Sequence, residues 1–386
     1  MTMTTKQEVL KEKLADYLAS NKAGKGEILN QLEATIHMNR QAIIRRLNVL
    51  AVRDVGWQKQ HSGRKVTYGP RVTEALKEIW ELADHICAER LHPQLSEYIS
   101  VLKRCKEWNY PNDTTKLILT MSLGTVKDRI GSFPKVPRGS TGTTKPSELK
   151  ELVPIRKGPW GNPEPGKGEV DTVAHCGSSL IGDYAYTVQY TDVATIWTLL
   201  QAQWNKGMIA TKESLKQMRD RCPLTLTGFD FDSGSEFINY EVVPWCNTLT
   251  PPILCTRTRP YRKNDHARIE QKNYTNVRHW VGYLRYDHSE QVQILNQLYL
   301  ILEDYLNFFL PSMKCIKKER TGSKYKRIYD KPQTAYARVL AHPNISDEVK
   351  NELKEKYVKL NPKQLKKQLE QLQQRLISSY RKHRLQ

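Results

Sequence analysis

The sequence predicts a multidomain protein with all-α helix-turn-helix and winged-helix modules at the N-terminus, a central α/β core and a basic helical C-terminal tail. Three observations predict it. Residues 5–53 and 73–131 place apolar residues at helical spacing around short turns, whereas residues 168–286 alternate short apolar runs with helical stretches. Charge follows the same division. Residues 1–168 hold 28 Lys and Arg against 18 Asp and Glu, residues 169–307 hold 13 against 16, and residues 308–386 hold 20 against 7. The flanks therefore attract polyanions, while the middle concentrates acids. A length of 386 residues allows two or three domains. The expected divisions are 1–72, 73–131, a linker 132–166, a core 167–310 and a tail 311–386.

In the first division, three helices are expected at Gln7–Leu18, Lys25–Ile36 and Asn39–Val52, with a tight turn at His37–Met38. The third carries Arg40, Arg45 and Arg46 beside Ile43, Ile44, Leu47 and Leu50, as a helix entering a DNA groove would. Gly56–Gly69 reads as a β-hairpin, completing a winged helix. The second division reads as one or two long helices over 73–109, then a second helix-turn-helix at 114–131. Its turn would be Ser122–Gly124, with Lys127 and Arg129 on the helix that follows. His85, Cys87, His92 and Cys105 lack the C-x-x-C pair of a zinc module, and read as packed side chains. The seven cysteines, scattered and odd in number, read as reduced thiols.

The linker is rich in Pro, Gly, Ser and Thr, and its Arg156, Lys157 and Trp160 suit contact with a nucleic-acid backbone or packing on the next domain. Beyond it, strands are expected at 168–176, 184–192, 195–204, 224–232 and 252–257. Helices are expected at 211–221, 236–246, about 265–286, and 289–309. Each of the first and fourth strands carries acids: Asp171 on the former, Asp230 and Asp232 at the end of the latter. Glu270 lies on the third of these helices, which Asp265 could cap. Two strand aspartates and a helix glutamate are the oxygen donors that a pair of Mg²⁺ (or Mn²⁺) ions needs. Side-chain alternation puts His175 on the face of Asp171, and Asp230 on that of Asp232, so both are candidate helpers. Lys263, Asn264, Lys272 and Arg278 surround Glu270 and suit a DNA backbone. In the tail, Met313–Arg327 is strongly basic and helices are expected at 346–357 and 361–380. Leu365, Leu369, Leu372 and Leu376 form a short seam, equally suited to a subunit contact and to packing within the chain.

With these motifs in place, the chain resembles a DDE transposase of the retroviral-integrase type, over about residues 155–305. The resemblance is carried by Glu169-Val-Asp171-Thr172, by Asp232-Ser-Gly-Ser-Glu236-Phe237, and by Arg259-Pro-Tyr-Arg-Lys-Asn264 running into Glu270-Gln-Lys272. Asp232 and Glu270 stand 38 positions apart, close to the family's spacing. The resemblance implies an RNase H-like core with a mixed five-stranded sheet, and Asp171, Asp232 and Glu270 as catalytic, metal-holding residues. It implies cleavage at the ends of a mobile element and joining of the freed 3′-hydroxyl to target DNA. It also implies a homodimer or higher multimer, because two element ends must be joined. A DNA-binding regulator with an inactive core, or a structure-selective nuclease on the same fold, are the alternatives. No apolar run is long enough for a bilayer and the N-terminus is not a signal peptide, so a cytoplasmic, nucleoid-associated protein is expected, with no membrane partner.

Overall fold

The computed structural model describes residues 3–53, 67–133, 163–231, 236–257, 272–321 and 324–384. The chain divides into two compact units, Met1–Thr67 and Tyr68–Gln386. In the first, helices α1 (Met3–Glu12), α2 (Leu14–Ala19), α3 (Lys22–Ile36) and α4 (Arg40–Arg53) enclose Leu10, Leu29, Leu32, Ile36, Ile43 and Leu47. The expected first helix is interrupted at Lys13. Asn21 caps α3 by accepting from the Gly24 amide at 2.9 Å. The helix stops where His37 turns left-handed (φ 48°) and its amide returns to Glu33 O. Most of the expected hairpin, residues 54–66, lies outside the described residues.

The second unit begins with α5 (Pro70–Leu82), α6 (Ala88–Leu91), α7 (Leu95–Arg104), α8 (Asn112–Leu119) and α9 (Leu123–Gly131). The long helix expected after residue 73 is broken because Asp84 and His85 both adopt positive φ, 56° and 58°. The Trp80 indole closes this corner by donating to Ile86 O at 3.0 Å. Ser122 caps α9 through the Thr125 amide at 3.2 Å, so that helix starts within the expected turn. Of the linker, residues 134–162 lie outside the described residues.

The core is a five-stranded mixed sheet of order β3-β2-β1-β4-β5. Its strands are β1 (Lys167–Ala174), β2 (Ala185–Asp192), β3 (Thr198–Trp204), β4 (Gly228–Phe231) and β5 (Leu254–Arg257). β2 runs antiparallel to both β1 and β3, and β1, β4 and β5 are mutually parallel. Gly168 is required in β1, since a Cβ there would meet the Tyr190 ring at 2.2 Å. Asp192, the register partner of Gly168, is a buried staple. It accepts from the amides of Gly166 and Thr195, each at 2.7 Å, and burial still raises its pKa. Helices α10 (Met208–Arg221) and α11 (Val242–Thr248) connect the later strands. The expected strand 224–232 forms a ladder only from Gly228, and the expected helix 236–246 begins at Val242, where Asn239 Oδ1 accepts the Val242 amide at 2.8 Å.

Helix α12 (Ser289–Phe308) closes the free edge of β3 with side chains standing in for a sixth strand. Asn307 accepts from the Thr198 amide and donates to its carbonyl, both at 2.8 Å; Asn296 treats Ala202 likewise, at 2.7 and 3.0 Å. Between them, the Leu200 amide donates to Glu303 at 2.6 Å and its carbonyl accepts from Arg221 at 2.7 Å. Arg221 and Glu303 are themselves paired at 2.8 Å.

The tail is not all-helical. A hairpin, β6 (Cys315–Thr321) and β7 (Lys324–Tyr329), occupies the basic stretch. Helices α13 (Ala335–Ala341), α14 (Asp347–Lys359) and α15 (Pro362–Arg384) follow. Leu365, Leu369 and Leu376 are buried in the same core as α12, so the leucine seam packs within the chain. Among the described residues no helix is long and apolar enough to cross a membrane.

Candidate active site

Parallel pairing with β4 fixes what surrounds Asp171 on the central strand. Glu169 lies opposite Asp230, and Val170 opposite Phe231, the last described residue before position 232. Asp232 and Glu270 lie outside the described residues, as do Lys157, Lys263 and Asn264. Asp171 is held from two sides. Its Oδ1 accepts from the Thr172 amide at 2.7 Å, and its Oδ2 from the side-chain amide of Asn273 at 2.7 Å. Thr172 is fixed in turn by donating to Glu236 Oε1 at 3.1 Å, and Lys206 reaches the same oxygen at 2.7 Å. Glu236 is thus a buried carboxylate beside the strand, at 2 % exposure.

Asn273 opens a π-helical turn, Asn273–Arg278, followed by a single helical turn His279–Val281 that ends at Gly282 (φ 69°). The α-helix expected up to residue 286 stops here, and Arg285 instead bridges to Cys176. Within the π-helical turn Val277 is fully buried and Tyr274 half-buried, while Glu270, the first residue of the expected stripe, lies outside the described residues.

His175 and Asp230 are both fully buried. His175 Nε2 lies 2.7 Å from Thr187 Oγ1, which is 2.6 Å from the Tyr299 hydroxyl. Burial, with Arg278 nearby, holds its pKa well below the usual histidine value. These contacts make it a neutral core residue under α12. Asp230 accepts from Thr256 Oγ1, on the neighbouring strand β5, at 2.6 Å.

The expected DNA-facing residues separate into distinct settings. In the first unit Arg45 is exposed, Arg40 donates to Asn30 and to Gly26 O, and Arg46 is half-buried with Nη1 lacking an acceptor. Lys127 is exposed and pairs with Glu89 at 3.2 Å. Arg129 turns inward to Thr73 and to Tyr68 O at 2.8 Å. Arg278 does the same, donating to Ala174 O at 2.5 Å and lying over the Tyr283 ring. Lys272 lines a cavity, and desolvation with the nearby Arg90 and Arg338 pushes its pKa down to about 8. Residue type and spacing could not separate these inward arginines from exposed ones.

Among the described residues no three His, Cys, Asp or Glu side chains converge to hold a metal ion. The donor chemistry around Asp171 nevertheless suits a hard cation. Among the described residues Asn273 Oδ1 and Glu236 Oε2 are buried oxygens with no hydrogen-bond donor, one on the residue clasping Asp171 and the other on the residue holding Thr172. Asn273 and Lys206 were not expected at the site, and Glu236 was expected only as a nearby acid of its motif. Asn273 stands three positions after Glu270 in the sequence, and it opens a π-helical turn, so α-helical spacing gave no signal for it.

No family model matches the chain. Over 341 residues it is 34 % identical to the uncharacterized protein y4rM of Sinorhizobium fredii (strain NBRC 101917 / NGR234), a match covering 88 % of this chain and 96 % of that protein. The chain belongs to the same family as y4rM.

Proposed function

We propose that the protein is a DNA transposase of the retroviral-integrase type, with an RNase H-like core whose catalytic residues are Asp171, Asp232 and Glu270. One observation carries the reading: Asn273, three residues beyond Glu270, is bonded to Asp171 on the central strand. That contact ties the Glu270 segment to the Asp171 strand. Parallel pairing of β1 with β4 supports the third member, because Asp232 follows Phe231, whose register partner is the residue before Asp171. The sheet order, three antiparallel strands continued by two parallel ones, agrees with the expected core.

Asp171, Asp232 and Glu270 would hold two Mg²⁺ or Mn²⁺ ions, which when bound lower the pKa of an attacking water or hydroxyl and offset charge building on the phosphodiester. The chain's own residues orient the first carboxylate: Asn273 and the Thr172 amide fix both its oxygens, and Glu236 fixes Thr172. Water attacks at the element's end and frees a 3′-hydroxyl. That hydroxyl then attacks target DNA in the same site. The basic N-terminal helices, α4 with exposed Arg45 and α9 with Lys127, serve as readers of the element ends, as helix-turn-helix modules do. Joining two ends requires a multimer, and work on chromosomal DNA a nucleoid-associated location.

The test is incubation of the full chain with duplex DNA carrying the inverted repeats that flank its coding region, in Mg²⁺ and in EDTA. The expected result is Mg²⁺-dependent nicking at the repeat end followed by joined product. Asp232→Asn should abolish both while retaining end binding. Cleavage without joining would leave a nuclease, and binding without cleavage a regulator.

A further inference from the structure

The basic stretch of the tail forms a sheet of its own, in which β6 pairs with β7 and, among the described residues, with no strand of the core. Residues 313–329 hold seven Lys and Arg against one acid, Glu319. The ribbon is bolted at its root. Asp330 accepts the Lys314 amide at 2.6 Å and the Arg338 guanidinium at 2.5 Å, and its own amide donates to Lys314 O at 2.9 Å. Beside them Ser312 and Gln333 exchange backbone hydrogen bonds at 2.8 and 3.1 Å. Lys314 Nζ reaches Ala194 O, in the turn between β2 and β3, at 2.7 Å. A strand of this length spans roughly 20 Å, so the root sets the direction in which a long arm leaves the core.

The charges of the arm sort by face. Side chains alternate along a strand, and residues opposite each other in an antiparallel register share a face. Lys317, Glu319 and Lys326 therefore lie on one face, where the acid is spent on Lys317 at 2.8 Å. Arg320, Arg327 and Tyr329 lie on the other, all three exposed, and the stretch supplies no acid there. The register also sets Lys318 opposite Arg327, and like charges placed opposite each other destabilise an antiparallel pair. Two-stranded ribbons are marginal in water even without that repulsion. A polyanion laid against this face supplies the countercharge that the ribbon lacks.

We propose that the β6–β7 ribbon is a DNA-docking arm that enters the major groove of duplex DNA with its Arg320–Arg327 face turned to the nucleic acid. The major groove, about 12 Å wide, admits a two-stranded ribbon. Arginine offers phosphate a planar fork of donors that lysine does not. The choice of DNA as the polyanion rests on the proposed function. The arm is a contact beyond the readers on α4 and α9, and needs no chemistry at Asp171.

The test is fluorescence anisotropy of the full chain, in EDTA, with a labelled DNA duplex of arbitrary sequence that lacks the flanking repeats, over a salt series. Neither cleavage nor end recognition enters such a measurement. Arg320→Gln combined with Arg327→Gln should flatten the plot of log affinity against log salt by about 2 units, and weaken binding at about 100 mM salt roughly tenfold or more. The thermal midpoint should hold, since both side chains are exposed. Lys354→Gln combined with Lys359→Gln removes the same charge from exposed positions of α14, and should leave slope and affinity near native. Duplex RNA, whose major groove is too deep and narrow to enter, should bind the arginine variant as it binds the native chain. No binding of the DNA duplex by the native chain, or a native slope in the arginine variant, would overturn the arm. So would an equal loss in the α14 variant, which would mean net charge alone, or an equal loss on duplex RNA, which would mean a surface for any polyanion. Absence of end cleavage alongside the expected salt slopes would sink the transposase reading and leave the arm standing.

Discussion

Asn273 donates its side-chain amide to Asp171 Oδ2 at 2.7 Å, joining two residues 102 positions apart in the chain. One oxygen of Asp171 is thereby aimed by the segment that follows Glu270, and the other by the adjacent Thr172 amide. Asn273→Ala should leave DNA-end affinity unchanged and slow single-turnover cleavage by about 10–100-fold, the usual cost of removing a group that orients a ligand. Cleavage at the native rate would show that this contact has no part in the chemistry.

The staple along β3 makes a stability prediction. Removing Glu303 as Glu303→Ala leaves the partly buried Arg221 without its carboxylate and the Leu200 amide without its acceptor, and should cost about 2–4 kcal/mol. Glu303→Gln keeps an acceptor for the Leu200 amide and should cost less, about 1–3 kcal/mol. Urea midpoints of the two variants measure the difference.

His175 sets a pH dependence. Its folded pKa lies well below 6.5, so beneath pH 6.5 the unfolded chain takes up a proton that the native state refuses. This contribution to stability is full above about pH 6.5 and is lost as pH falls, by up to ~1.4 kcal/mol per pH unit. His175→Gln should flatten the slope of stability between pH 6.5 and 5 by about one proton. An unchanged slope would mean the ring is protonated in the fold.

The leucine seam makes a prediction about assembly. Leu369 is fully buried in the core it shares with α12, so Leu369→Ala should cost about 2–5 kcal/mol by chemical denaturation. Light scattering should find the subunit number unchanged. A shift to smaller species without loss of stability would mean the seam holds subunits together instead.

Much of the core was legible in the sequence because its strands are apolar and its long helices periodic: β1, β2, α12 and α15 fall within a few residues of their expected bounds. The departures have local causes. Two left-handed residues, Asp84 and His85, break a helix that periodicity runs straight through. The hairpin at 315–329 is built largely from Lys and Arg, whose uniform polarity hides a period of two. Asn296, Glu303 and Asn307 look like a solvated helix face, yet they are spent on the β3 backbone, a role that no spacing announces. Around the site, Asp171 was legible from its strand and its neighbours. Asn273 was not, since a π turn changes which residues share a face.

The central claim is that Asp171, Asp232 and Glu270 together hold divalent cations, and Mn²⁺ titration of the full chain tests it most directly. Saturable binding is predicted, weakened roughly tenfold or more by each of Asp171→Asn, Asp232→Asn and Glu270→Gln. Native Mn²⁺ affinity in any one of the three variants would contradict it.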